Sequence, residues 1–448
     1  MNTGQLIQKL KNKHFLSLAG NGSMAVLAML TVALLYRNLP VNSMGAWVFF
    51  QTVFVLLDTF RTGFLQVALI KFYTGTSEPK SSQVLGSVWF LALMITLVLL
   101  LVNIAFLPFM HFIKSEGVAV CIQWFGITFL ATLPNAIASW ILQSDMRFDR
   151  LLLLRVITQG SFITMIIALI FSNNINLNTV LLTNFISNAL VSLYCLLAGW
   201  SRLKTFSKRT KETILEIFHF GKYSVGTSIS TNLLRSSDSF IIMFMLGAAG
   251  PAALAMYNIP MRLMEIIEIP LRSFLATGMP SLSQAFNKNN KQEVAFILQK
   301  YAGMLTLVLI PVSILAIALA DVAIMLIGGG KYTGTYAVSV YRIFMSFACF
   351  YPIDRFIGVT LDIIHQPRIN FYKVLVMLAT NIIFDFSGLY LFGNVNGVAL
   401  ATLFTFISGV LFGYYWLKKY LDFSIRGIFK TGYIELLWVA KQLKNKYR

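Results

Sequence analysis

Charge is scarce in this 448-residue sequence, in which Asp, Glu, Lys and Arg together make up 12% of the residues. That is about half the share found in water-soluble proteins, and it excludes the string of soluble domains that the length alone would suggest. Cysteine is scarcer still. Cys121, Cys195 and Cys349 sit inside apolar runs with no CxxC spacing, so neither a disulfide framework nor a zinc site is expected. Four histidines occur, His14, His111, His219 and His365, and none belongs to an HExxH arrangement. A phosphate cradle is missing as well, because Gly328-Gly329-Gly330-Lys331 does not match G-x-x-x-x-G-K-[ST]. Long polar loops are also lacking. No expected outer loop exceeds about a dozen residues, too few for a soluble catalytic domain, so no enzyme and no cofactor is expected.

What the sequence does hold is apolar length. The apolar share is 57%, and stretches of about 20 such residues are long enough to cross a bilayer. Twelve candidates follow, at 15–36, 45–70, 84–110, 118–143, 151–171 and 178–200, then 220–246, 252–278, 296–327, 336–361, 369–391 and 396–417. The expected fold class is an all-α polytopic membrane protein of about twelve transmembrane helices. Between the spans lie turn-forming segments such as Leu39-Pro40, Ser77-Glu78-Pro79-Lys80 and Gly393-Asn394-Val395-Asn396-Gly397.

The net charge of +19 then reads as orientation, because Lys and Arg collect on the cytoplasmic side of membrane proteins. With the N-terminus inside, twenty-seven of the 36 cations flank inner connections, and only Arg37, Lys114 and Lys331 lie outside. Both termini are expected in the cytoplasm. The first span follows a basic tail without an A-x-A-like cleavage site, which reads as a retained span. Since no folded basic domain is present, nucleic acid is not an expected partner. The expected organisation is a tail at 1–14, an N-lobe at 15–200, a basic linker at 201–219, a C-lobe at 220–417 and a basic amphipathic tail at 418–448. In that last segment Ile425, Ile428, Phe429, Ile434, Leu436, Leu437 and Trp438 alternate with Lys and Arg, the pattern of a helix lying on anionic lipids.

The two six-span halves resemble each other weakly. His14-Phe15 opens one and His219-Phe220 the other, and aligning Trp47 with Tyr257 sets Asp58 over Glu268 and Phe64 over Phe274. Two halves that both enter from the cytoplasm are parallel repeats about an axis along the membrane normal, an arrangement that encloses a central cavity.

Six cations remain within the spans: Arg61, Arg235, Arg262, Arg272, Arg342 and Arg355, with no lysine among them. A charge at membrane depth costs about 2.5–3.5 kcal/mol on insertion scales, so it calls for a cavity or a partner. Asp58 with Arg61, and Arg235 with Asp238, are i,i+3 pairs that either neutralise each other or line a cavity. Glu265, Glu268 and Arg272 fall within about 60° on one face, with Arg262 nearby, on a span that also contains Pro260 and Pro270. Arg272, Arg342 and Arg355 lie near span ends, where they can snorkel. Arg61, Arg235 and Arg262 lie deeper. The guanidinium fork matches phosphate and pyrophosphate oxygens, so all six are candidate substrate-binding residues. Asp58, Asp238 and Asp385 are candidates for coupling to a Na+ or H+ gradient, with Asn381 one turn from Asp385, while Glu265 and Glu268 are pairing acids.

Leu39-Pro40-Val41-Asn42-Ser43-Met44-Gly45-Ala46-Trp47, Phe60-Arg61-Thr62-Gly63-Phe64, Ser237-Asp238-Ser239-Phe240, Tyr257-Asn258-Ile259-Pro260 and Gly278-Met279-Pro280-Ser281 resemble polysaccharide flippases of the multidrug/oligosaccharidyl-lipid/polysaccharide exporter superfamily. The resemblance implies two six-helix lobes around a cationic cavity that includes Arg61, Arg235 and Arg262, with Asp58 and Asp238 as pairing or coupling acids. It implies movement of an undecaprenyl-pyrophosphate-linked oligosaccharide across the bacterial inner membrane, for O-antigen lipopolysaccharide or capsule, alongside the polysaccharide polymerase machinery. The alternatives are a multidrug exporter of the same superfamily, whose cavity is expected to be acidic or aromatic, and a membrane polymerase, which needs a larger outer loop.

Overall fold

The computed structural model describes residues 13–113 and 115–446. Most of the expected N-terminal tail, together with Lys114, Tyr447 and Arg448, lies outside the described residues. Among the described residues the regular structure is entirely helical. The helices are α1 (Lys13–Asn38), α2 (Val41–Tyr73), α3 (Lys80–Phe106), α4 (Glu116–Ala131), α5 (Leu133–Ser144), α6 (Phe148–Phe171), α7 (Leu177–Leu197) and α8 (Lys211–Met245). They continue as α9 (Gly250–Asn287), α10 (Lys291–Ala318), α11 (Ala320–Gly328), α12 (Tyr336–Phe347), α13 (Tyr351–Ile363), α14 (Pro367–Phe392), α15 (Val395–Leu417) and α16 (Ile425–Lys446).

Eight of the described segments are long and apolar enough to cross a membrane. A ninth candidate is the pair α4–α5, bent by 45°. Thr132 ends α4 and opens α5, and Pro134 occupies the first turn of α5, where its missing N–H cannot continue the preceding helix. The chain is thus a multi-pass membrane protein. The three expected spans not among these nine are α1, of which the described apolar stretch is Val26–Asn38, and α8 and α9. Those two run for 35 and 38 residues, about 52 and 57 Å at 1.5 Å per residue. They have the length to span, and it is Arg235, Asp238, Arg262, Glu265, Glu268 and Arg272 that lower their hydropathy below that of the other spans.

Packing divides the chain into two compact units, residues 1–232 with 247–255 and residues 233–246 with 256–448. The sequence reading ends the first lobe at 200, but the start of α8 packs into the first unit. Ile217 joins a core of Leu65, Leu69, Leu85, Trp89 and Ile141, and a Cβ on Gly63 would lie 2.8 Å from that of Ser228. The linker is strapped down too. Arg202, in the left-handed region at φ 47°, donates to Asp145 at 2.7 Å, and Trp89 donates to the Ser201 carbonyl at 2.7 Å.

The second unit centres on Leu298, Leu305, Phe356, Ile357, Leu361, Leu421 and Ile428. In lipid, helices associate through close packing rather than hydrophobic expulsion, so small residues mark the seams. Gly388 of α14 and Gly397 of α15 approach until a Cβ on Gly397 would stand 2.2 Å from the Gly388 carbonyl oxygen. The C-terminal α16 packs on α10 in the same manner, with Thr431 donating to Gln299 at 3.1 Å and Lys300 paired with Glu435 at 2.5 Å. On the same helix Tyr433, Ile434, Leu437 and Trp438 are exposed, in a segment that also carries Arg426, Lys430 and Lys441.

Candidate functional site

In the first unit the polar centre is Asp58 and Arg61, one helical turn apart on α2. Arg61 donates to Asp58 Oδ1 from Nε at 3.0 Å and from Nη2 at 2.6 Å. Its remaining donors reach the Phe129 carbonyl at 3.2 Å and Thr132 Oγ1 at 3.0 Å, and the guanidinium lies 4.1 Å from the centre of the Phe129 ring. Arg61 is therefore satisfied by protein and only 1% exposed, whereas the Asp58 side chain is 33% exposed. Of the two, Asp58 lies on the wall of a cavity of about 310 Å³, with Phe54, Thr62, Gln66, Ser228 and Asn232 among the other lining residues. The i,i+3 spacing identifies the pair, but the end of it that reaches the cavity is the acid.

The second unit holds the other five arginines. Glu268 accepts from Arg272 at 2.7 Å and lies 3.9 Å from Arg355. Tyr351 stands within electrostatic reach of Arg355, Glu268, Arg235 and Asp354, so α9 and α13 bring two guanidiniums to Glu268 and α8 brings a third into the reach of Tyr351. Arg262 pairs with Glu265 at 3.0 Å. Arg342 pairs with Asp321 at 2.7 Å, away from that group. Arg235 and Asp238, which share a helix face by their spacing, form no ion pair with each other. Arg235 is exposed on the helix surface while Asp238 is 5% exposed, because the Asp238 carboxylate is taken by tertiary partners.

Those partners form a buried acidic centre. Tyr257 of α9 donates its hydroxyl to Asp238 Oδ2 and sits 3.3 Å from Thr402 Oγ1 of α15. Ser237 donates to the Asn381 amide oxygen of α14 at 2.6 Å, and Asp385, one turn further along α14, lies beside Asp238. Asp385 is 0% exposed, and neither of its carboxylate oxygens receives a protein donor. Two adjoining carboxylates with no basic partner are costly in a low-dielectric interior. The donor set of carboxylate, amide and hydroxyl oxygens suits a hard monovalent cation or a proton. Tyr257 and Thr402 are the members that sequence reasoning missed. Neither has a spacing relation to Asp238, and both arrive through tertiary packing.

Sequence reasoning also missed a second buried pair. Lys373, counted among the inner flanking cations, donates to Asp354 Oδ1 at 2.6 Å and to its backbone carbonyl at 3.1 Å, with the two side chains 4% and 6% exposed. Gly358 and Gly413 leave the room that the lysine stem occupies.

Comparison with known proteins returns the same class. Residues 10–286 match the family described as polysaccharide biosynthesis protein, and residues 228–387 match the MatE family. A relative from Haloferax volcanii, described as a probable low-salt glycan biosynthesis flippase Agl15, is 23% identical over 243 residues. That alignment covers 52% of this chain and 50% of the relative, so the chain spans about half the length of that curated relative. Among solved structures, the lipid II flippase MurJ in an inward closed conformation is similar with a TM-score of 0.75 at 17% identity, covering 94% of this chain and 90% of that one. An inward-facing multidrug resistance MATE transporter is similar with a TM-score of 0.73 at 14% identity, covering 88% and 95%. These structural likenesses establish the fold.

Proposed function

Because the chain belongs to the polysaccharide biosynthesis protein family, we propose that it is a flippase. Its cargo is an undecaprenyl-pyrophosphate-linked oligosaccharide carried from the inner to the outer face of the bacterial inner membrane, for O-antigen or capsule. The observation that carries this reading is the placing of two guanidiniums, Arg272 and Arg355, at a single acid, Glu268, with Arg235 and Arg355 both within electrostatic reach of Tyr351. Two guanidiniums share that one negative charge, which leaves positive charge for an anion, and guanidinium is the group best shaped to grip pyrophosphate oxygens in pairs. Arg262, 40% exposed beside Glu265, adds a further donor. The excess has the wrong sign for the cationic cargo of a drug exporter.

In this reading the chain has twelve spans, two lobes and both termini in the cytoplasm, and it works by alternating access. Three prolines inside α9, Pro260, Pro270 and Pro280, supply points where a helix can bend. The Asp238–Asp385 centre is the coupling site: its oxygens take a Na+ ion or a proton that offsets the neighbouring carboxylates.

A bacterial strain lacking its own flippase tests the reading. The chain should restore surface polysaccharide and clear the accumulated lipid-linked intermediate. Arg235→Ala and Arg355→Ala should lose both effects while still inserting in the membrane. Unchanged polymer from both variants would sink the proposal. A cysteine placed within 201–219 should react only from the cytoplasmic side, and reaction from outside would overturn the topology.

A further inference from the structure

We propose that the cavity of the first unit is a sugar subsite that accepts a neutral or amino sugar of the glycan and rejects a uronic acid. The inference rests on the flippase reading and assigns a preference to it. The orientation of the Asp58–Arg61 pair carries it. Arg61 turns its guanidinium toward Phe129 and Thr132, away from the cavity wall on which Asp58 lies. A ligand in the cavity therefore meets the negative end of the ion pair.

The rest of the wall agrees with that polarity. Asp58 accepts two bonds from Arg61 and one from Thr62, at 3.0 Å to Oδ2, and a carboxylate has about four acceptor positions. Acceptor capacity is thus left for a hydroxyl or an ammonium group. Gln66 is held by Gln143 at 2.8 Å, and Asn232 by the Ser228 carbonyl at 3.0 Å, so the polar groups are positioned before a ligand arrives. Phe54 provides an apolar surface against which the C–H face of a sugar ring can rest. At about 310 Å³ the cavity is at the small end of the about 300–1,000 Å³ range of ligand pockets, a size for one ring rather than for an oligosaccharide. An anionic sugar would set its carboxylate against Asp58, and like charges placed together discriminate strongly between ligands.

The purified full chain tests this with three synthetic probes on the same farnesyl pyrophosphate carrier, bearing no sugar, N-acetylglucosamine or glucuronic acid. The N-acetylglucosamine probe should bind about tenfold or more tightly than the glucuronic acid probe, a ratio within reach of one charged contact. Asp58→Asn should shrink the ratio to about twofold by improving glucuronic acid binding. Val67 also lines the cavity, and Val67→Trp, which fills it from outside the ion pair, should bring both sugar probes to the level of the bare carrier, so the test survives if Asp58→Asn does not fold. Equal binding of the two sugar probes to the unaltered chain overturns the subsite, as does a preference that persists in Val67→Trp. Saturable binding of ethidium that Asp58→Asn removes, without any sugar preference, also overturns it in favour of an organic-cation site. If the bare carrier also fails to bind, the flippase reading itself falls, and the subsite falls with it.

Discussion

Asp58 and Asp385 are both carboxylates set in helices of a membrane protein, and their surroundings differ in the sign of the nearest charge. Asp58 faces a guanidinium that is held on every side by protein. Asp385 faces another carboxylate, Asp238, and receives no protein donor on either oxygen. A pair of opposite charges that satisfies itself is a structural joint, and removing one member leaves the other stranded. Two like charges kept together at a cost to the fold are worth keeping only where something mobile comes between them. The comparison sets an acid neutralised by its neighbour against a pair of acids that no neighbouring cation neutralises, the pair to which we assign ion coupling.

Four single substitutions and one double variant sharpen that contrast, all read by thermal unfolding of purified protein, with polymer output in the complemented strain as the second measure. The largest loss is expected from Lys373→Met. It strands Asp354 in a site where both partners are buried, at a cost of about 3–5 kcal/mol. Adding Asp354→Leu should recover most of that loss, because an apolar pair of similar size replaces a buried ion pair at little cost. Next comes Asp58→Ala, at about 2–3 kcal/mol, since Arg61 is buried but Asp58 is a third exposed and keeps part of its hydration. Asp385→Asn should be neutral or stabilising by about 1 kcal/mol while transport loses its dependence on the ion gradient. A large destabilisation there would place Asp385 with the structural acids and break the comparison. The smallest effect is expected from Arg342→Ala, about 0.2–1 kcal/mol, because its pair with Asp321 is exposed on both sides.

The sequence made the membrane class and the family legible, because long apolar runs and the surrounding motifs are local properties. The Asp58–Arg61 pair was legible for the same reason, since one turn of helix separates its members. Arg235 and Asp238 have the same spacing and do not pair, because Asp238 is buried and held by Tyr257 of the next helix while Arg235 stays exposed. Spacing states what can meet on one helix, and tertiary packing decides whether it does. Lys373 was misplaced for a related reason. Five residues from Arg368, it reads as part of a basic inner flank, and nothing in its neighbourhood announces Asp354 on the preceding helix. The polarity of α8 and α9 was legible residue by residue, yet it is also what keeps those helices below the apolar standard of a span. The helices richest in candidate site residues are therefore the ones hydropathy identifies least well.

The break between α4 and α5 has a consequence for force rather than for binding. The Phe129 carbonyl and the Thr132 hydroxyl at that break are both held by Arg61, whose other side is held by Asp58. The bent helix is consequently fastened to α2 by one guanidinium, as two struts are fastened by one bolt. Tension applied at Asp58 passes through rigid hydrogen bonds to the 45° joint without crossing a flexible loop. An angle in one helix and a carboxylate on another form a single mechanical linkage of four hydrogen bonds through one guanidinium, inside the first unit.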